Sequence, residues 1–271
     1  MDVPKGRPEA IVRPKAGEQT FDVRRIPPGP DLAEYVDYYW LVRWETPEPY
    51  RQQVIPQPRI HLAAEQGRLL VHGVSRETFF RTLEGAGHVL GAAFHPGGFR
   101  PLLGSSVGAL SGTVRPGLDV LGIDDRPTAE AILRGDAARH QDDDEMVGAL
   151  ETYLLATEPA PDPTAREVTD LVEVAAEHIE IARADQLAAH AGISLRTLQR
   201  LFTEYVGIGP KWVIQRFRIL EAAATAHAGG PVDWAALAQR LGFSDQAHLT
   251  RVFTDVVGTP PAAYVRDPGT V

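Results

Sequence analysis

The sequence predicts an α+β chain: a small antiparallel β barrel or sandwich with helices, followed by an all-α domain in which a long helix joins two helix-turn-helix units. Three observations lead to this fold class. Short runs of β-branched and aromatic residues alternate with Gly and Pro early in the chain, apolar residues take helical spacing from Pro127, and one helix-turn-helix pattern occurs twice near the end. The length of 271 residues and a hydrophobic fraction of 44% suit two domains.

The N-terminal part is expected to begin with a flexible tail over residues 1–20, where prolines and charges dominate. Order should begin near Phe21, and a short helix from Leu32 should give way to a strand from about Tyr38. Further short strands are predicted at 51–55, 59–64, 68–72, 78–83 and 88–94, separated by Gly and Pro. Short strands at regular intervals favour a small barrel or sandwich.

A change to helical periodicity follows the predicted strands. Helices are predicted at 128–140, 144–155 and 165–181. Prolines recur between the last two helices, at 158–163, and this stretch should act as a semi-rigid spacer. The sequence therefore predicts a β-rich domain with C-terminal helices over 21–156, a Pro-rich linker over 157–164 and a helical domain over 165–271.

The helical domain contains two similar units, at about 184–206 and 233–257, with a joining helix at about 210–227. Each unit has a Leu-Ala pair on a short helix, then a glycine that can take positive φ, then a serine suited to cap the next helix. The matching residues are Leu187-Ala188, Gly192 and Ser194 in the first unit, and Leu237-Ala238, Gly242 and Ser244 in the second. This order is typical of a helix-turn-helix.

The second helix of each unit should bury one face and expose a face suited to DNA. Arg and Gln pair bidentately with guanine and adenine edges, and a helix fits the major groove. A solvated surface helix would carry the same residue types, but the repetition of the whole unit favours DNA. The candidate DNA contacts are Ser194, Arg196, Thr197, Gln199, Arg200, Lys211, Ser244, Gln246, His248, Thr250 and Arg251.

Each of the two helices is expected to read the bases of one half of the DNA site. The expected base readers are Arg196, Gln199 and Arg200 for one half, and Gln246, His248 and Arg251 for the other. Thr250 and the helix starts at Ser194 and Ser244 should fix phosphates.

The C-terminal stretch of about eighty residues resembles the DNA-binding domain of the AraC/XylS family of bacterial transcription regulators. The residues that carry the resemblance are Gly192, Ser194, Leu198, Arg200 and Phe202; Gly207, Pro210, Arg216, Arg218 and Ala222 or Ala223; and Gly242, Phe243, Leu249, Arg251, Phe253, Gly258, Pro261 and Tyr264. The resemblance implies two recognition helices held by one long helix. It also implies an N-terminal β domain that binds an effector or mediates dimerisation.

The N-terminal part resembles, on softer marks, a compact domain of one branch of that family. Those marks are Tyr38-Tyr39-Trp40, Ile55-Pro56, His61-Leu62, Leu90-Gly91 and Phe94-His95-Pro96-Gly97-Gly98. This resemblance implies a sensor or dimerisation domain and names no ligand.

The joining helix is long enough to hold two recognition helices in successive major grooves. About seventeen residues at 1.5 Å each span roughly 25 Å, against about 34 Å for one turn of DNA. Lys211 should lie near phosphates. Arg216 and Arg218 leave two alternatives open: phosphate contacts, or salt bridges with Glu221 or Asp233 that hold the subdomains together.

Charge and composition limit which classes of partner the chain is expected to bind. The net charge is −9, of which the part from Arg183 onward carries about +2 and the preceding part about −11. This balance indicates few phosphate contacts per chain and favours pairing of two subunits. Double-stranded DNA is the expected partner, with RNA polymerase, a small-molecule effector and a second copy of the chain as further candidates. The N-terminus lacks the apolar run of a signal peptide, no apolar segment approaches eighteen residues, and the expected location is the bacterial cytoplasm.

Enzyme, cofactor and metal functions are not expected. The chain has no cysteine, which excludes a thiol nucleophile and the alkyl-transfer repair proteins that carry similar DNA-binding domains. Four histidines on or beside predicted strands, His61, His72, His88 and His95, lack close ligand spacing. Two alternatives stay open: a ligand-binding or enzymatic β domain with secondary DNA binding, and a helical module that binds protein.

Overall fold

The N-terminal part is one six-stranded antiparallel sheet in strand order β1-β2-β5-β3-β4-β6. The computed structural model describes residues 21–134, 142–227 and 231–266. The strands are β1 Phe21–Ile26, β2 Val36–Val54, β3 His61–Glu65, β4 Arg68–His72, β5 Phe79–Phe94 and β6 Val114–Pro116. The two edge strands, β1 and β6, are not paired with each other within the described residues, so the sheet is open. The predicted antiparallel β-rich part with helices is confirmed, and of the two forms predicted for it, a barrel overstates the closure of the sheet.

Two strands are much longer than predicted. The segments from Tyr38 and at 51–55 form the single strand β2, and the segments at 78–83 and 88–94 merge into β5. Their pairing shifts between Thr46 and Tyr50. Pro47 and Pro49 lie within this irregularity, where the ladder does not require their missing N–H groups, so these prolines do not end the strand.

The outer parts of β2 and β5 form what we call the β ribbon, residues 45–54 paired with residues 79–86. The other sheet pairings of β2 and β5 involve residues nearer the centre: β1 pairs with β2 between Tyr39 and Trp44, and β3 pairs with β5 between Gly91 and Ala93. The β ribbon therefore extends beyond the sheet as two strands.

Most predicted helices occur, with shifted ends. The helices are α1 Arg100–Leu103, α2 Gly117–Leu121, α3 Arg126–Leu133, α4 Asp143–Leu155, α5 Pro163–Glu177, α6 Ala184–His190, α7 Leu195–Leu201, α8 Pro210–His227, α9 Trp234–Arg240, α10 Gln246–Val257 and α11 Pro261–Arg266. A 3-10 turn occupies Val107–Leu110, and a π-helical turn at Phe202–Val206 continues α7. The helix predicted from Leu32 is only a turn over 30–35. The tail 1–20 and the end of the predicted helix 128–140 lie outside the described residues.

Two hydrophobic clusters form the core. The first runs from the sheet, through α3, α4 and α5, into the first helix-turn-helix unit, and includes Tyr39, Phe94, Leu150 and Phe202. The second surrounds the second helix-turn-helix unit and includes one residue from the N-terminal part, Ile55. Each cluster therefore contains residues that precede the Pro-rich stretch and residues that follow it, so the sheet and the helical region pack against each other.

Candidate DNA-binding surface

The first unit consists of α6, a tight turn at Gly192 and α7. Gly192 has φ of 65°, a left-handed conformation that glycine adopts without strain. Ser194 is the N-cap of α7, and its Oγ accepts a hydrogen bond from the Thr197 amide at 3.1 Å. Leu198 and Phe202 are fully buried, which fixes the rotation of α7 about its axis.

That rotation leaves the predicted readers of the first unit in solvent. Arg196, Gln199 and Arg200 are exposed, whereas Thr197 is half-buried and its hydroxyl lies 2.9 Å from Ser194 Oγ. Lys211 is exposed in the first turn of α8, directly after Pro210. The structure thus presents one cationic and amide-bearing face on α7, with a further cation at the start of the joining helix.

The second unit repeats the arrangement with α9, a turn at Gly242 and α10. Leu249 and Phe253 are fully buried, and the Phe253 ring packs edge-on against Tyr264, with centroids 5.5 Å apart. Gln246 and Arg251 are exposed, while His248 and Thr250 are half-buried. The His248 ring stands edge-on to Phe243 at 5.3 Å, so this side chain is partly engaged in the fold.

The N-cap of α10 is Asp245 rather than Ser244, which corrects the expectation for that serine. Asp245 has extended backbone, and its Oδ1 accepts from the His248 amide at 2.7 Å. This bond lowers the pKa of the Asp245 carboxyl. Ser244 Oγ instead lies 3.2 Å from both Asp245 Oδ2 and His248 Nδ1, so it braces the cap from outside the helix.

Asp245→Ala is expected to destabilise the protein by about 1 kcal/mol, the usual effect of removing an N-cap. Ser244→Ala should have a smaller effect because the Asp245 cap remains. Chemical denaturation of the two full-length variants beside wild type measures both changes. An equal or larger loss for Ser244→Ala would contradict the assignment of the cap to Asp245.

Arg200 lies in a small ion-pair network that the sequence did not reveal. Its Nη1 donates to Glu204 Oε2 at 3.1 Å, and the other Glu204 oxygen lies 3.5 Å from Nη2 of Arg100, in α1. The residues that line an open cleft of about 410 Å³ beside this network are Ser106, Gln199, Arg200, Thr203 and Glu204. One carboxylate therefore connects a candidate DNA reader to the N-terminal part.

The first recognition helix also packs against the N-terminal part at its C-terminal end. The 3-10 turn Val107–Leu110 meets the π-helical turn Phe202–Val206, and both belong to the same hydrophobic cluster. A Cβ on Gly108 would lie 3.1 Å from the Thr203 carbonyl oxygen, which shows how close the two backbones are. The other end of α7, at Ser194, is exposed.

Arg216 and Arg218 of the joining helix are both 3% exposed, so in this structure neither faces a phosphate. Their observed partners are backbone carbonyls rather than Glu221 or Asp233 carboxylates. Arg218 Nη2 lies within 3.1 Å of the carbonyl oxygens of Ala175, His178 and Ile181. Arg216 Nη2 donates to the Arg76 carbonyl at 2.9 Å, its guanidinium lies over the Trp212 ring at 4.5 Å, and burial lowers its pKa to about 10.

The histidines of the sheet have structural partners. His61 accepts a hydrogen bond from Trp40 Nε1 at 3.2 Å, and burial lowers its pKa to about 3. His72 Nε2 lies 3.0 Å from Glu65 Oε1, and His88 Nε2 lies 2.9 Å from the Ile132 carbonyl oxygen. Across residues 21–134, 142–227 and 231–266, no three His, Cys, Asp or Glu side chains are grouped to hold a metal.

The geometry defines a class: a DNA-binding domain with two capped recognition helices on one joining helix. Comparison with known families gives the particular type. Residues 187–267 match a family described as a helix-turn-helix domain, and residues 24–116 match a domain of unknown function (DUF6597). The C-terminal part of this chain is an AraC-type helix-turn-helix domain, as its sequence motifs predicted. No helix in the described part of the chain is long and apolar enough to cross a membrane.

Three individual proteins are similar to this chain over different lengths. The transcriptional activator NphR of a Rhodococcus species is 26% identical over 227 residues, which are 83% of this chain and 59% of that protein. A Streptomyces lividans protein named "Putative AraC-like transcription regulator" is 35% identical over 82 residues, 30% of this chain and 27% of that protein. The structure of ToxT from Vibrio cholerae aligns over 91% of this chain and 98% of its own, with a TM-score of 0.38 and 12% identity. The chain thus spans less than two thirds of both sequence relatives.

Proposed function

We propose that this protein is a sequence-specific transcription regulator that places α7 and α10 in successive major grooves on one face of DNA. The observation that carries the proposal is the pair of exposed Arg- and Gln-bearing helix faces, one at each side of the joining helix α8. Side chains of these types read guanine and adenine edges from a helix in the major groove.

The dimensions of the joining helix support this docking mode. Helix α8 has 18 residues and is therefore about 27 Å long at 1.5 Å per residue. The recognition helices add their own width at either side, which brings their spacing toward the roughly 34 Å of one DNA turn. In this proposal Arg196, Gln199 and Arg200 read one block of bases. Gln246 and Arg251 read the other, with His248 at the edge of that contact.

Phosphate contacts would set the register of the two helices on DNA. The residues proposed for them are Ser194, Thr197, Lys211, Ser244 and Thr250. Ser194 and Ser244 lie at helix starts, where backbone N–H groups and the helix dipole favour anions. Such contacts carry no sequence information, so their loss should weaken binding to all sequences alike.

The N-terminal part is proposed to control DNA binding through its contacts with both recognition helices. The shared hydrophobic cluster and the Arg100–Glu204 ion pair support a mechanical connection. An effector or partner that favoured one arrangement of the sheet would then change the affinity for DNA in proportion to its preference for that arrangement. A second copy of the chain and RNA polymerase are proposed partners, and a DNA-bound regulator would work in the cytoplasm.

Selection of duplexes from a random-sequence library with the full-length protein, at two salt concentrations, tests the function. The expected result is a motif of two short blocks about one helical turn apart, with weaker binding at higher salt. Binding without any motif at both salt concentrations would contradict sequence-specific regulation. Absence of salt-dependent DNA binding would favour a protein-binding module instead.

Glu204→Gln is expected to tighten DNA binding about twofold to fivefold. The change keeps the shape of the side chain, removes a negative charge beside the proposed DNA face and releases Arg200 from its ion pair, and an exposed pair of this kind is worth about 0.5–1 kcal/mol. The gain should be smaller at high salt because salt screens the carboxylate.

Glu167→Gln is the matched control. Glu167 is exposed on α5, and this substitution removes the same charge from the same domain. Fluorescence anisotropy with the selected duplex measures both variants. If the two variants bind alike, Glu204 does not restrain Arg200.

A further inference from the structure

The second helix-turn-helix unit is built in part from the β ribbon. Ile55, which directly follows β2, is 2% exposed and belongs to the hydrophobic cluster of Leu237, Leu249, Phe253 and Val257. It is the only residue before Ile179 that the described part of the chain contributes to that cluster. Burial of an Ile side chain contributes to the stability of whatever core receives it, so the outer end of the β ribbon, next to the Val54–Phe79 pair, stabilises the second unit.

One side chain of the β ribbon, Gln53, and one directly before its second strand, Thr78, also satisfy the C-terminal end of the second recognition helix. Gln53 Nε2 donates to the Val257 carbonyl at 2.8 Å, and Thr78 Oγ1 donates to the Val256 carbonyl at 2.5 Å. The last four carbonyls of a helix have no partner within the helix and require one from elsewhere. Here two of them find partners in the N-terminal part, about 180 to 200 residues earlier in the sequence.

The same region holds the joining helix. The Arg76 carbonyl oxygen, two residues before Thr78, accepts the hydrogen bond from the buried Arg216 guanidinium of α8. A short segment at the outer end of the β ribbon therefore contacts both α8 and α10. These are the two elements whose relative orientation sets the direction of the second recognition helix.

The first recognition helix has a different support. It meets the 3-10 turn Val107–Leu110 and the Arg100–Glu204 ion pair, and both of these lie outside the β ribbon. The N-terminal part thus contacts the two DNA-reading helices through separate segments. A change confined to the β ribbon should alter the second helix and leave the first unchanged.

We infer that the β ribbon is a positioning element of the DNA reader, and that Gln53 and Thr78 set the orientation of α10 and with it the specificity for the second block of the DNA site. This inference rests on the proposed function. Neither side chain is proposed to touch DNA. Both act through the carbonyls that they hold at the end of the recognition helix.

The decisive comparison uses full-length Thr78→Val, which keeps the shape of the side chain and removes the donor, and Thr78→Ser, which keeps the donor. Gln53→Met makes the matching change at the second hydrogen bond. Each variant is taken through the random-duplex selection. Its affinity is then measured for the wild-type site and for sites in which either the first or the second block is scrambled.

The measured quantity is the ratio of the affinity for the wild-type site to the affinity for a site with one block scrambled. In Thr78→Val and Gln53→Met, this ratio for the second block should fall roughly threefold to tenfold, as expected for one lost hydrogen bond. Discrimination against a scrambled first block should stay within twofold, and the spacing between selected blocks should broaden. Thr78→Ser should retain the wild-type pattern. A general loss of stability would weaken both blocks together, and that result, or no change in either block, overturns the inference.

Backbone hydrogen exchange separates this inference from the proposed function. Peptides that cover α10 should exchange faster in Thr78→Val than in Thr78→Ser, while peptides that cover α7 should not differ. Unchanged exchange in α10 overturns the positioning role whatever the DNA result. If wild type selects no motif, the proposed function fails, and the exchange result still decides whether the β ribbon holds α10.

Discussion

Arg200→Ala is expected to weaken binding to the selected DNA site roughly fivefold to 150-fold, because a bidentate base contact is worth about 1–3 kcal/mol. Arg200 is exposed on α7, and the buried Leu198 and Phe202 fix the face on which it lies. Its ion pair with Glu204 is of a weak solvent-exposed kind, so the guanidinium can exchange that carboxylate for a base edge. Fluorescence anisotropy with the selected duplex and with a scrambled duplex measures the effect.

The scrambled duplex distinguishes base reading from phosphate contact. Loss of a base contact should reduce the preference for the selected site, whereas loss of a phosphate contact should weaken all sequences alike and reduce the salt slope by about 1. Arg126→Ala is the control. Arg126 is exposed on α3 of the N-terminal part, and this substitution removes the same charge as Arg200→Ala. An effect of Arg200→Ala within twofold of that control would show that α7 does not read bases.

The sequence predicted the helical region well because its signals are local. A glycine at positive φ, a capping side chain and apolar residues at three and four positions determine a helix-turn-helix within about twenty residues. Gly192 and Gly242 have φ values of 65° and 76°, as that pattern requires. One local error, Ser244 in place of Asp245 as the cap, arose because both residue types are good caps and are adjacent in sequence.

The sheet was predicted less well because its geometry depends on distant pairing. Pro47 and Pro49 indicate a break when the sequence is considered alone, yet the break is only a shift in register between two strands that continue. Closure of a sheet depends on the pairing of its first and last strands, and no short pattern encodes that pairing. The periodicity of the sequence therefore could not predict that the sheet is open.

The contacts between the two parts of the chain could not be predicted from sequence at all. Gln53 and Thr78 are ordinary strand residues by composition, and only the fold brings them to the end of α10. The alternatives considered for Arg216 and Arg218 were phosphates and carboxylates, while the partners are main-chain carbonyls. A carbonyl has no signature in the sequence, so such partners become visible only in three dimensions.

Arg218 attaches the joining helix to the end of α5 through main-chain carbonyls. Its Nη2 lies 3.1 Å, 2.7 Å and 3.0 Å from the carbonyl oxygens of Ala175, His178 and Ile181, at the end of α5 and just beyond it. Helix α5 ends at Glu177, so these oxygens lack partners within a continuing helix, although the His178 oxygen also accepts from the Ile181 amide at 3.0 Å. One buried guanidinium therefore satisfies the end of α5 and attaches it to the middle of α8. Burial lowers the pKa of this guanidinium, which reflects the unfavourable desolvation that those bonds offset.

Arg218→Met is accordingly expected to destabilise the protein by roughly 2–4 kcal/mol. Methionine fills much of the same volume but leaves the carbonyl oxygens of Ala175 and Ile181 without their donor, while that of His178 keeps the Ile181 amide. Each buried unsatisfied group costs about 1–3 kcal/mol, partly offset because no charge is buried in the variant. Arg240→Met, at an exposed position in the last turn of α9, should change stability by less than about 0.5 kcal/mol. Chemical denaturation of both variants measures the difference. If Arg218→Met is as stable as Arg240→Met, the end of α5 is satisfied without Arg218, and α8 must be held in place by its apolar face alone.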